Sequence, residues 1–204
     1  MAASPHFRPE SSALVLIDHQ VGTIQLIQNE ITPDIAIRNA VLLGEAALAY
    51  EMPIVMTSSQ EDHVQGPLHP ALQKALPEAY AARVKRAGIV NAWTDLNFVK
   101  AIEKTGRRQL IMAAVTTDIC LVFPAISAVE AGYEVLAVMD ACGTDTQIGE
   151  EMSRRRMERA GVWLTSTNTM VAELVQDWST PPGILLVQAM TAISPMLPVD
   201  WIRA

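Results

Sequence analysis

Apolar residues in this chain gather in short runs separated by longer mixed stretches. Ala13-Leu-Val-Leu-Ile17 is one continuous apolar run, and with Asp18 at its end it reads as a buried strand. Pro33 to Met52 reads as a long helix, and Pro53-Ile-Val-Met-Thr57 as the next strand. A weaker third strand falls within Ala82 to Val90. Thr94 to Lys104 predicts a helix capped by Thr94 and stopped by Gly106, followed by a strand from Gln109 to Val115. Cys120 to Ala131 predicts a helix stopped by Gly132, and Glu134 to Asp140 the fifth strand. Thr146 to Ala160 is a helix with a charged face ending at Gly161, where Arg154, Arg155 and Arg156 pair with Glu150, Glu151 and Glu158. Val162 to Thr165 is the sixth strand, and Asn168 to Trp178 a closing helix.

Gly106, Gly132 and Gly161 each end a helix just before an apolar strand. Strands apolar on both faces, alternating with helices, predict an α/β fold with a doubly wound, six-stranded parallel sheet covered on both faces. The Rossmann-like strand order 3-2-1-4-5-6 is expected, with ligands at the switch point between the first and fourth strands. Asp18 ends the first strand and Cys120 follows the fourth, so the topology brings them together.

Composition narrows the function. The chain has 204 residues, 50% hydrophobic and 18% charged, which suits one folded domain. A net charge of −7 without a basic run argues against nucleic acid as a partner. Two cysteines, Cys120 and Cys142, form no disulfide framework and predict a cytoplasmic setting. Residues 1–12 lack the apolar core of a signal peptide. Residues 181–204 read as a separate apolar C-terminal arm on a domain spanning 1–180. Its continuous apolar part, Ile184 to Ile193, is about half the ~20 residues a membrane span needs, so no membrane role is expected. The arm reads instead as a subunit contact.

A thiol at a helix start meets the positive end of the helix dipole, which favours thiolate, and the turn offers N–H groups for an oxyanion. None of the four histidines follows Cys120, so Asp18 is the candidate base, with a carboxyl pKa raised by burial. Lys85 and Arg86 stand where the third strand should end, and adjacent strand residues face opposite ways, so only one can enter the site.

The segments Leu14-Val-Leu-Ile-Asp18-His19-Gln20, Thr57-Ser58-Ser59, Gly88-Ile89-Val90-Asn91-Ala92-Trp93, Ala114-Val-Thr-Thr-Asp-Ile-Cys120 and Val138-Met-Asp140-Ala141 occur in one order. Together they resemble the isochorismatase-like cysteine hydrolases, and within them the YcaC-type proteins. The resemblance implies an Asp, Lys and Cys triad, carried here by Asp18, Lys85 or Arg86, and Cys120. Spacing to Asn91-Ala92-Trp93 favours Arg86, a fixed charge that cannot act as an acid. It also implies a cis peptide at Val115–Thr116, an oxyanion loop of Val115, Thr116 and Thr117 using the Thr116 and Cys120 N–H groups, and a pocket including Gln20, Ser59, Asn91 and Trp93. Nicotinamidases of the family carry an Asp-x-His metal pair; here Asp62 and His63 are adjacent, so neither metal nor nicotinamide is expected. No cofactor is expected. YcaC-type octamers imply a homo-oligomer. The reaction implied is hydrolysis of a small amide, imide or carbamoyl compound through a covalent thiol intermediate. A thiol redox sensor with Cys142 as resolving partner, and a non-catalytic oligomeric binding protein, are the alternatives. His19 reads as a positioning or surface residue.

Overall fold

A strand apolar at every position has no face for water, so it belongs inside a sheet covered on both sides. In the computed structural model, which describes residues 6–193, strands β1 (Ser12–Ile17) and β4 (Gln109–Ala114) are buried along their whole length and pair with each other at the centre. Strands β2 (Ile54–Ser59) and β3 (Val84–Arg86) extend the sheet on one side, and β5 (Glu134–Val138) and β6 (Trp163–Thr165) on the other. All pairs are parallel, in the expected order β3-β2-β1-β4-β5-β6.

Helix α1 (Pro33–Ala49) crosses from β1 to β2, and two short helices, α2 (Pro70–Ala75) and α3 (Pro77–Ala81), lead to β3. Helices α4 (Leu96–Lys104), α5 (Val122–Glu130) and α6 (Gln147–Arg159) make the later crossovers. Helices α7 (Thr167–Val175) and α8 (Pro181–Ile193) close the described chain. Reversing the direction of right-handed crossovers after β3 sends α4, α5 and α6 to the face opposite α1. Accordingly α1 packs on α7 and α8, and α5 packs on α6.

Some boundaries differ from expectation. Asp95, not Thr94, caps α4, its carboxylate accepting from the N–H groups of Asn97 and Phe98, while Thr94 closes a 3-10 turn. The helical turn after β4 begins at Thr117 as a π turn and becomes regular only at Val122. Gly106, Gly132 and Gly161 do stop helices, each with the positive φ that L side chains resist. Helix α8 lies against its own domain: Leu186 is buried, and Ala189 and Met190 pack on the core. Burying a leucine contributes ~1.5–3 kcal/mol, enough to hold a short helix in place. Residues 194–204 of the predicted arm lie outside the described residues.

Candidate active site

β1 ends where Ile17 pairs with Thr57 on one side and Ala114 on the other. The next residue, Asp18, takes φ 57°, a left-handed conformation that Asp tolerates better than most residues. That turn tips the carboxylate into the crevice between β1 and β4. The carboxylate is almost wholly buried, and Arg86 Nη2 donates to its Oδ2. Three fixed acceptors hold the guanidinium: Asp18, Thr57 Oγ1 (3.0 Å from Nε) and the Ile89 carbonyl. Burial pushes the Asp18 pKa above its ordinary value, against the pull of Arg86.

Across the crevice, β4 runs into Val115 and a cis Val115–Thr116 peptide. The π turn Thr117–Leu121 then places the Cys120 thiol close enough to hydrogen-bond with the Asp18 carboxylate, although Asp18 Oδ1 has no partner of regular geometry. Burial, and then the charge and hydrogen bond of Asp18, push the thiol pKa up. Expectation from the helix dipole was the reverse. A dipole term of ~0.3–1 kcal/mol loses to desolvation beside a carboxylate, so the proton rests on sulfur.

Asp18, Arg86 and Cys120 share a cleft of about 80 Å³ with Ser59, Gln60, Gln65, Gly88, Ile89, Val90 and Ile119. Larger hollows, of about 410 and 430 Å³, lie beside His6 and Glu173 and beside Gln28 and Glu150, and neither holds a cysteine. The chemistry therefore marks the small cleft.

Comparison with known proteins gives the family of the chain. The isochorismatase domain family model matches residues 12–169. The chain belongs to the isochorismatase family. Within it the chain is YcaC-like: it is 38% identical to the probable hydrolase YcaC of Escherichia coli K12 over 82% of this chain and 79% of that protein. The crystal structure of Escherichia coli YcaC, described as an octameric hydrolase of unknown specificity, superimposes with TM-score 0.86 at 34% identity, covering 97% of this chain and all of that one. YcaC from Pseudomonas aeruginosa, solved with hexane-2,5-diol and covalent acrylamide, gives 0.87 at 32% identity, covering 95% of each chain.

Of the residues the sequence pointed to, this isochorismatase-family site brings together Asp18, Arg86, Cys120 and Ser59. Lys85 is a correction. It is the exposed neighbour on β3, with its side chain 64% exposed and Nζ 3.1 Å from Glu61 Oε2. Gln20 is also corrected: it is fully buried behind the cleft. Its amide donates to the carbonyls of Ser59 and Gly66 and accepts from the Ser59 N–H. Asn91 and Trp93 do not line the cleft either. Asn91 caps the turn before α4 and donates to Ser127, and Trp93 packs edge-on to Phe98 and Tyr133 in the core.

In the loop, Val115 and Thr117 are buried, their N–H groups donating to Ile17 and Gly143. The Cys120 N–H, expected to hold an oxyanion, donates instead to the Thr116 carbonyl at 2.8 Å, because the π turn closes on it. Among the described residues the Thr116 N–H has no acceptor. His19 is not a surface residue: it is fully buried, its Nε2 2.9 Å from the Ala141 carbonyl oxygen. Asp62 and His63 are exposed, and the described residues contain no cluster of three or more metal-ligating side chains. No described helix is long and apolar enough to cross a membrane.

Sequence reasoning missed Gln60, Gln65, Gly88, Ile89, Val90 and Ile119. Gly88, Ile89, Val90 and Ile119 lie in the segments that resemble the family, and Gly88 carried a further signal as a glycine. Its φ is 115°, and a Cβ there would stand 2.4 Å from Gln60 Nε2.

Proposed function

We propose that this protein is a cysteine-dependent hydrolase of small amide, imide or carbamoyl C–N bonds. The observation that carries the reading is the buried contact of the Cys120 thiol with an Asp18 carboxylate clamped by Arg86. Asp18 takes the thiol proton as sulfur attacks the carbonyl carbon, and the carbonyl π electrons move onto oxygen. The Thr116 N–H, which has no acceptor among the described residues, is available to meet that oxyanion. Collapse breaks the C–N bond, and Asp18 returns its proton to the leaving nitrogen. Water then hydrolyses the thioester and restores the thiol. Arg86 keeps its proton throughout and fixes the carboxylate. A cleft of about 80 Å³ suits a substrate of few atoms, since pockets for drug-sized ligands run to ~300–1,000 Å³.

Two features of relatives support the reading. Acrylamide is an electrophile that thiolates attack, and a covalent acrylamide was found with Pseudomonas aeruginosa YcaC. The octameric Escherichia coli protein supports a homo-oligomer here as well. A redox pairing with Cys142 has less support, since that thiol is fully buried beside the Ala114 N–H and the Val138 carbonyl.

The test is amine release from a panel of small neutral amides. Cys120→Ala is expected to abolish turnover, and Asp18→Asn to lower it roughly 10²- to 10⁴-fold. Because the Asp18 pKa is raised, activity should fall on acidification at a pH above the ordinary carboxylate value of ~4. Full turnover by Cys120→Ala would end the proposal.

A further inference from the structure

We infer that Gln65 reads the amide N–H of a neutral primary amide in the Cys120 cleft, an inference that rests on the hydrolase reading above. Two buried acceptors on the cleft residues lack regular partners: Asp18 Oδ1 and Gln65 Oε1. A buried carbonyl oxygen left without a donor carries a desolvation cost, and a ligand that supplies an N–H recovers it.

The backbone around Gln65 is held for this task. The Gly22 N–H donates to the Gln65 carbonyl at 2.9 Å, and the Val21 N–H to the Pro67 carbonyl at 3.0 Å. Gln20 reaches the Gly66 carbonyl with the same amide that binds Ser59. A Cβ on Gly22 would meet the Val64 carbonyl at 1.9 Å, so glycine permits this close approach. The loop thus approaches from the β1 side while Cys120 approaches from the β4 side.

Charge defines the rest of the ligand. Asp18 and Arg86 are the charged cleft residues, and they neutralise each other. Arg86 engages three of its five N–H groups with Thr57, Ile89 and Asp18, and the Asp18 carboxylate compensates its charge, so the cleft offers a carboxylate substrate no net positive charge. Of the remaining wall, Ile89, Val90 and Ile119 are apolar, and Ser59, Gln60 and Gly88 are uncharged. A short neutral primary amide fits these surroundings, and its carboxylate counterpart does not.

The experiment compares Cys120 alkylation by acrylamide and by N,N-dimethylacrylamide, each rate divided by that for free N-acetylcysteine. In this reaction sulfur bonds to the β carbon, the C=C π bond breaks, and the thiol proton ends on the α carbon, with no leaving group. The wild-type protein is expected to favour acrylamide by roughly fivefold to tenfold, the worth of one hydrogen bond. Gln65→Met should lose that preference while its Cys120 is still alkylated by N,N-dimethylacrylamide, which shows the nucleophile to be intact. An unchanged preference in Gln65→Met overturns the role of Gln65 and leaves the hydrolase reading standing. Silence of Cys120 toward both reagents overturns the nucleophile and this inference with it.

Discussion

Neighbouring residues on one short strand divide the chemistry of this site. Arg86 and Lys85 carry the same charge and stand one position apart, but the pleat turns Arg86 inward to Asp18 and Lys85 outward to Glu61. Removing Arg86 leaves the Asp18 carboxylate buried without its cation, which costs ~3–5 kcal/mol in comparable pairs. Arg86→Met is therefore expected to lower the melting temperature sharply and abolish turnover. Lys85→Met removes the exposed partner of Glu61, which keeps its pairing with Arg83, and should change stability by less than about 1 kcal/mol, with turnover unaffected. Thermal denaturation and amide hydrolysis on both variants check this, and a severe loss in Lys85→Met would refute the assignment. Asp18 and Cys120 were legible in the sequence because each follows a continuous apolar run, and such runs mark strand ends. The choice between Lys85 and Arg86 depends on the phase of a three-residue strand, which no periodicity can fix. Gln65 was invisible for a different reason: it sits in an irregular loop whose position is set by distant backbone contacts with Val21 and Gly22.

At the scale of elements, His19 is the tie between the two sides of the switch point. It follows the end of β1, and its ring reaches the Ala141 carbonyl in the turn after β5. Full burial lowers its pKa from 6.5 to about 4, against the hydrogen bond to Ala141, so the folded protein holds the ring neutral. A base with a depressed folded pKa contributes stability that is complete above 6.5 and is lost as pH falls toward 4. The gap corresponds to about 3 kcal/mol. Urea unfolding at pH 7.5 and 4.5 should show that loss in the wild-type protein, and His19→Gln should lose less between the same two pH values. Equal losses would mean that His19 does not govern the window. The strands and long helices were legible from their apolar runs and glycine stops. Helices α2 and α3 were not, because six and five residues complete too few turns to show a period. Pro70 and Pro77, each at a first helical position, were the signal available there.

The whole molecule poses the question of what covers its remaining apolar surface. The run Ile184 to Ile193 needed a cover, and the structure supplies half of one. Leu186 turns inward onto the domain, while Ile184 and Leu185 remain 47% and 62% exposed. A helix apolar on more than its core-facing side is suited to a second contact, and the proposed homo-oligomer would provide it. Light scattering after size exclusion is then expected to give a multiple of the chain mass. The double variant Ile184→Lys, Leu185→Glu leaves Leu186 in place and should shift the protein toward smaller species, without loss of the fold by circular dichroism. Desolvating one such side chain is worth ~1.5–3 kcal/mol, so at least a tenfold weakening of assembly is expected. An unchanged mass in the double variant would place the subunit contact elsewhere. A monomeric wild-type protein would remove the proposed assembly altogether. The cleft-wall residues Ile89, Val90 and Ile119 are also at least 45% exposed. If assembly covers them too, the smaller species made by the double variant should differ from the wild type in acrylamide preference, which ties the oligomer to the substrate site.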